Sequence, residues 1–268
     1  MNLLENILGE GWQVTPAGGA TGEAYLAQYG DEKLFLKRNS SPFLAVLSAE
    51  GIVPKLLWTK RLENGDVITA QKWLPGRELK AFEMKKPRVA KLLRKIHRSS
   101  ELLRMLHRLG KKPLSPDVIY HDLIMKFDGH HRKDPEVESA LSYLASNKDN
   151  LDHVEKVVCH CDVNHNNWMF SDEGNLYLID WDGAVVADPA LDIGMLLYWY
   201  VPKNEWADWL THYGLSVTEG LRKRMYWYVL AQTLLSIYWY DYKGLYGEVE
   251  YWKRDLLNLN KNRLTDND

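Results

Sequence analysis

The first third of the chain alternates apolar and polar residues in short runs separated by turn-forming residues. Residues 13–17, 24–29 and 33–37 read as strands, joined by Gly18-Gly19-Ala20-Thr21-Gly22 and by Gly30-Asp31-Glu32. After Ser41-Pro42, a helix-compatible run covers 43–50 and stops before Gly51, and residues 56–60 and 67–71 return to strand patterning. From Lys86 the period changes. Val89, Leu92, Leu93 and Ile96, then Leu102, Leu103, Leu106 and Leu109, recur every three to four residues, which predicts amphipathic helices. One segment interrupts them: Trp168-Met169-Phe170 and Leu176-Tyr177-Leu178-Ile179 are β-prone runs around the turn-rich Asp172-Glu173-Gly174-Asn175, which predicts a tight hairpin. Aromatic-rich helical patterning resumes near Ile193, and residues 260–268 read as a polar, frayed tail.

This order predicts an α+β fold, with a small β-rich nucleotide-binding lobe over residues 1–75 and a larger, mainly helical catalytic and acceptor-binding lobe over 76–268. Trp73-Leu74-Pro75-Gly76 reads as the hinge. The 268 residues carry a net charge of −2, so no basic field for nucleic acid is expected. The apolar stretch 225–240 has 16 residues and contains Gln232, Thr233 and Ser236. That is shorter than the roughly 20 apolar residues of a spanning helix, so a buried helix is expected and no membrane insertion. Residues 1–6 do not resemble a secretion signal. Cys159 and Cys161 stand two apart on an extended segment, poorly placed for a disulfide, and read as reduced thiols of a cytoplasmic protein. The His130-His131 pair reads as a solvated loop rather than a metal site. Eleven Trp and 15 Tyr against five Phe favour aromatics with a polar edge, for core packing or for a substrate surface.

The candidate chemistry is concentrated in His160-Cys161-Asp162-Val163-Asn164-His165-Asn166-Asn167 and, one hairpin later, Ile179-Asp180-Trp181-Asp182. The spacing suits phosphoryl transfer: Asp162 accepts the proton of an acceptor hydroxyl, with His160 bracing the loop, while the Asn167 carbonyl and Asp180 hold Mg²⁺ beside nucleotide phosphates. With the hairpin turn centred on 172–175, Asn167 is expected opposite Asp180. The alternative is that Asn167 caps a turn and Asp180 is a solvated loop residue. Upstream, Gly18, Gly19, Thr21 and Gly22 form a loop through which backbone amides can approach phosphates. Lys37 closes the strand beneath it, on one face with Lys33 and Phe35, and Glu50 on the following helix is the expected partner of Lys37; Lys33 and Arg38 are its rivals. Adenine is expected near Gln71 to Leu74, with Trp73 either stacking on the base or packing the hinge. Asp182 is a candidate for a second metal or the acceptor, and Trp181 for packing under the metal loop at the acceptor site.

These residues resemble the motif shared by aminoglycoside phosphotransferases, choline kinases and their relatives, which have a protein-kinase-like bilobal fold. The resemblance implies ATP and Mg²⁺ as cofactors and a small-molecule hydroxyl as acceptor. It assigns Asp162 as the catalytic Asp, Asn167 and Asp180 as metal ligands and Lys37 as the phosphate lysine. Asp188-Pro189-Ala190-Leu191-Asp192 resembles the family's following segment, whose second Asp braces the catalytic loop. The chain departs from the pattern at Cys161, where such kinases usually have Gly. The wording Asp-Val-Asn-His-Asn-Asn-Trp, with Lys-Arg-Asn-Ser-Ser-Pro-Phe-Leu and Gly-Ile-Val-Pro-Lys-Leu upstream, is similar to the CcrZ (YtmP-like) group of Firmicutes. That similarity implies a ribose- or 2-deoxyribose-like acceptor, a role linking DNA replication with cell division, replication or division proteins as partners, and recruitment to the division site. Two rivals stand beside it. Tyr198-Trp199-Tyr200, Trp206, Trp209 and Tyr226-Trp227-Tyr228 would suit choline or another amino alcohol if they faced a cleft, and a kinase-fold scaffold would act through protein partners.

Overall fold

The computed structural model describes residues 7–18, 23–128, 134–151 and 154–265. Gly19, Thr21 and Gly22 of the glycine run, the His130-His131 pair and residues 1–6 lie outside the described residues.

The alternating first third folds into an antiparallel sheet of β1 (Gln13–Gly18), β2 (Ala24–Tyr29), β3 (Glu32–Arg38), β4 (Leu56–Arg61) and β5 (Val67–Lys72), ordered β1-β2-β3-β5-β4. Because side chains alternate along a strand, Leu34 and Leu36 join Ala27, Ile68 and Ala70 in a buried apolar cluster, and Lys37 falls on the opposite face. Helix α1 (Phe43–Ala49) follows β3 and buries Phe43 and Leu47. A second sheet pairs β6 (Gly76–Glu78) with β8 (Trp168–Ser171), and β8 with β9 (Leu176–Leu178). Here Gly76 is needed for close approach, since a Cβ would lie 2.5 Å from the Phe170 carbonyl oxygen.

Contacts group the chain into two compact units, and neither is a single stretch. One comprises Met1–Glu83, Ser99–Leu109 and Asn164–Gly183; the other comprises Met84–Arg98, Gly110–Val163 and Ala184–Asp268. The expected cut after residue 75 is therefore not how the contacts divide. The β8–β9 hairpin joins the N-terminal unit because β6 pairs with β8 and the Leu178 amide donates to the Ile52 carbonyl at 3.0 Å.

The other unit is mainly helical: α2 (Pro87–His97), α4 (Pro116–Lys126), α5 (Pro135–Asn147), α6 (Ala190–Tyr200), α7 (Trp206–Tyr213), α8 (Glu219–Tyr242) and α9 (Tyr246–Thr265), with α3 (Ser100–Arg108) falling in the first unit. Ser-Pro and Asp-Pro start signals work as their chemistry dictates: Ser115 Oγ accepts the Val118 amide ahead of α4, and Asp134 accepts the Glu136 amide ahead of α5. Much of the Trp and Tyr excess enters this core. Trp209, Trp227 and Tyr228 are fully buried, and the indole N–H groups of Trp209 and Trp227 donate to the carbonyls of Met84 and Leu144. The apolar stretch 225–240 is part of α8, and no helix among the described residues is long and apolar enough to cross a membrane. The expected frayed tail is corrected as far as Thr265, to which α9 runs on, with Asn260 buried and its Nδ2 donating to the Glu136 carbonyl at 3.1 Å; residues 266–268 lie outside the described residues. A short antiparallel ribbon, β7 (Val157–Cys159) with β10 (Val185–Ala187), completes this unit.

Candidate active site

In the first unit, strand alternation presents Lys37 away from the apolar cluster, and its Nζ lies 2.8 Å from Asp182 Oδ2 and 3.8 Å from Asp180 Oδ1. Both carboxylates are more than half exposed, at 57% for Asp180 and 59% for Asp182, so bound phosphate or metal would find them accessible. The rival Arg38 is engaged elsewhere, its Nε donating to Asp66 Oδ2 at 3.0 Å. Glu50 is not where the expected pairing needs it. It caps the C-terminus of the short helix α1 and accepts a hydrogen bond from Ser99 Oγ, the N-cap of α3, while the ion pairs of Lys37 are to the two Asp residues.

The hairpin carries Asn167 and Asp180, in a register one residue from that expected. Trp168 pairs with Leu178 and Phe170 with Leu176, so Asn167 faces Ile179, whose amide donates to the Asn167 carbonyl at 2.8 Å. The loop is Asp172-Glu173-Gly174, closed by the Ser171 amide on the Asn175 carbonyl at 2.9 Å, with Gly174 left-handed at φ +87°. A three-residue loop with glycine in that conformation shifts the pairing relative to an even-numbered turn. Asp180 leaves the ladder with a left-handed backbone of its own, φ +62°, which re-aims its side chain as the strand ends. Trp181 then turns inward. It is buried, donates from Nε1 to the Leu178 carbonyl at 2.7 Å and meets the Phe43 ring edge-on at 5.8 Å, so it packs beneath the acidic residues rather than facing an acceptor. Asn167, Asp180 and Asp182 supply hard oxygen donors, two of them charged and exposed, and this donor set fits Mg²⁺.

The expected adenine residues divide. Gln71 is buried and spends its Nε2 on the Pro54 carbonyl at 2.8 Å, so its side chain ties β5 to the segment before β4. Leu74 is buried, whereas Trp73 is 38% exposed with its amide donating to Lys33 O at 3.3 Å. Of the glycine loop, Gly18 ends β1.

In the second unit, β7 delivers the chain into the His160-Cys161-Asp162 turn, where three consecutive amides are held. His160 N donates to Asp192 Oδ2 at 2.7 Å, Cys161 N to Asp192 Oδ1 at 3.0 Å, and Asp162 N to His160 Nδ1 at 3.2 Å. His160 is fully buried and acts as a brace, leaving the exposed Asp162 carboxylate as the group that can meet an acceptor. Cys161 has φ +66°, the region a glycine would enter freely; a side chain there costs about 1 kcal/mol. Burial would push the Asp192 carboxyl up, but hydrogen bonds from His97 and the His160 amide outweigh it and hold the group below its ordinary value. Burial pushes the thiols of Cys159 and Cys161 well up, so both stay protonated, and both are free.

Sequence reading overlooked His97 and Tyr213. His97 Nε2 lies 3.2 Å from Asp192 Oδ2, and its Nδ1 lies 2.7 Å from the Tyr213 hydroxyl. The available signal was a polar residue on an apolar stripe, since His97 continues the buried face of Val89, Leu93 and Ile96 on α2. His97, Cys159 and Asp192 also offer ligand atoms within 4.8 Å of one another, but hydrogen bonds already engage them, Cys159 Sγ donating to the Asp188 carbonyl at 3.4 Å.

The aromatic candidates separate by burial. Trp206 and Trp209 are core, with both indole nitrogens bonded to carbonyls. Elsewhere in this unit, burial pushes the Tyr240 hydroxyl up, and the charges of Glu248 and Asp162 act in the same direction. Trp239 packs edge-on against Tyr240 at 4.8 Å, and Trp199 against Trp252 at 5.3 Å.

Comparison with solved structures gives likeness over almost the whole chain. It is similar to choline kinase LicA from Streptococcus pneumoniae, at 20% identity over 97% of this chain and 96% of that one, with a TM-score of 0.72. A thermostable mutant of the aminoglycoside phosphotransferase APH(4)-Ia, in ternary complex with ADP and hygromycin B, matches at 15% identity over 96% of each chain, with a TM-score of 0.68. Plasmodium vivax ethanolamine kinase matches at 15% identity over 97% of this chain and 83% of that one, with a TM-score of 0.62. These likenesses carry the expected fold class, a β-sheet N-terminal region with a helical C-terminal part, as in kinase-like proteins. Residues 13–228, from β1 into α8 and including both acidic motifs, match the phosphotransferase enzyme family. The chain belongs to that family.

Proposed function

We propose that this phosphotransferase moves the γ-phosphoryl group of ATP to a hydroxyl of a ribose- or 2-deoxyribose-like small molecule. The observation that carries the reading is the convergence of Lys37, Asp180 and Asp182, a cation between two exposed carboxylates, on the hairpin that also bears Asn167. The ADP held by the similar aminoglycoside phosphotransferase supports an adenine nucleotide. Lys37 counters phosphate charge, and Asn167 with Asp180 would hold Mg²⁺, which supplies charge neutralisation at the phosphates. As the acceptor oxygen bonds to the γ-phosphorus, its proton passes to the Asp162 carboxylate and the bond to the β-bridging oxygen breaks, releasing ADP.

The sugar reading is supported by similarity to the CcrZ group and by the burial of Trp206 and Trp209, which removes them from any exposed cage. From the same similarity we propose a cell-cycle role linking replication and division, with replication or division proteins as partners at the division site. A choline or amino-alcohol acceptor is the second reading. Tyr240, whose hydroxyl feels the Asp162 charge, and the half-exposed Trp239 packed against it favour it, since aromatic faces attract quaternary ammonium.

The test is an ADP-release screen with ribose, 2-deoxyribose, choline and ethanolamine, using Asp162→Ala as blank. Asp162→Asn is expected to lower acceptor-dependent turnover by at least about a hundredfold while nucleotide affinity stays within about threefold. Turnover near wild type would remove Asp162 from the proposed role. Choline-dependent turnover that disappears on Trp199→Phe or Trp239→Ala would replace the sugar by the amino alcohol.

A further inference from the structure

The brace on the catalytic turn does not end at Asp192. Asp192 accepts two consecutive loop amides and is itself met by His97 Nε2, and His97 Nδ1 is met by the Tyr213 hydroxyl. All three side chains are buried, and they come from three helices, α2, α6 and α7. An ionised carboxylate only accepts, so His97 Nε2 carries a proton and donates it to Asp192, while Nδ1 pairs with the Tyr213 hydroxyl. Burial pushes the Tyr213 hydroxyl up and keeps it a donor. Tyr213 thus holds the His97 ring from one side while Nε2 donates to Asp192 from the other, which fixes the rotation of the Asp192 carboxylate.

That rotation matters because of Cys161. A residue with a Cβ leaves the left-handed region unless neighbouring groups hold it there, and what holds Cys161 is the pair of amides, His160 N and Cys161 N, bound to opposite oxygens of Asp192. A carboxylate free to turn would satisfy at most one of them in this geometry. Asp162 is the next residue, its own amide tied back to His160 Nδ1.

We infer that His97 and Tyr213 are positioning residues for phosphoryl transfer: by orienting Asp192 they keep Cys161 left-handed and aim the Asp162 carboxylate. The kinetic consequence rests on Asp162 being the proton acceptor; the conformational consequence does not. The two are therefore measured separately, on the full chain.

Hydrogen exchange of peptides spanning residues 159–163 reads the conformation, and ADP release with ATP and 2-deoxyribose reads the kinetics. His97→Leu is expected to speed exchange at the loop amides at least about tenfold and to lower kcat by a similar factor, with KM for ATP within about twofold. His97→Gln can donate to Asp192 from the place of Nε2 and is expected to restore both within about threefold of wild type. Adding Cys161→Gly to His97→Leu is expected to recover most of kcat, because glycine enters the left-handed region without the brace. Wild-type exchange in His97→Leu, equal losses in the Leu and Gln variants, or additive effects of His97→Leu and Cys161→Gly would each overturn the inference. If His97→Leu does not fold, Tyr213→Phe decides, since it removes only the hydroxyl. Exchange about threefold faster is then expected, and unchanged exchange overturns it. If 2-deoxyribose supports no turnover while exchange shifts as expected, the sugar reading fails and the brace stands.

Discussion

At the scale of single residues, the His160-Cys161-Asp162 turn stores strain at one position and relieves it at another. Cys161 takes a backbone conformation that favours glycine, and Asp192 compensates with two amide hydrogen bonds. Replacing Cys161 by Gly removes about 1 kcal/mol of strain but adds a comparable entropy to the unfolded chain. Cys161→Gly is therefore expected to change stability by less than about 1 kcal/mol, whereas Cys161→Val, β-branched at positive φ, is expected to cost about 2 kcal/mol or more. Urea unfolding of the two variants checks this. A Val variant as stable as wild type would mean that the turn is not left-handed in solution.

At the scale of elements, the β8–β9 hairpin sets which groups face Lys37. Its register follows from a three-residue loop whose last member, Gly174, has φ +87° with no atom within 4 Å of where a Cβ would sit. The glycine is thus required for its backbone angle alone. Gly174→Ala is expected to cost about 1 kcal/mol and Gly174→Asn less, because Asn tolerates the left-handed region better. Thermal denaturation of the pair measures it, and equal effects from Ala and Asn would point to another cause. Glu50 shows how an element's length decides a partner: α1 ends at Ala49, leaving Glu50 at its C-terminal cap beside Ser99.

For the whole molecule, two buried carboxylates on the same helix start give opposite pH dependences. The Asp192 carboxyl is held below its ordinary value, so the folded state binds fewer protons there than the unfolded chain. Its contribution is present above the unfolded value of about 4 and is lost as pH falls through the lower folded value. Asp188 is raised by burial, against the Ala190 amide and Arg224, so its contribution is fully present below the unfolded value and is lost as pH rises through the folded one. The acid limb is thus expected to be steepened by Asp192, and Asp192→Asn to flatten it. Urea midpoints from pH 3 to pH 6 test this; an acid limb of unchanged slope in Asp192→Asn would show that other carboxylates control it.

Much of this protein is determined locally and could be read in one dimension. The strand alternation around Leu34, Phe35, Leu36 and Lys37 dictates a core face and a site face, the proline and Ser or Asp start signals mark helices, and the spacing of Asp162, Asn167 and Asp180 marks the candidate chemistry. Such patterns constrain φ, ψ and facing over a few residues, so they survive without knowledge of the fold. Tertiary structure alone decided the rest. It gave Lys37 the two Asp residues in place of Glu50, buried Trp206 and Trp209 while leaving Trp239 half exposed, and joined residues 164–183 to the N-terminal unit. It also brought His97, Asp192 and Tyr213 together from three separate helices. Those pairings are set by packing between segments tens to more than a hundred residues apart, where each residue has many locally equivalent partners and only the complete core selects one.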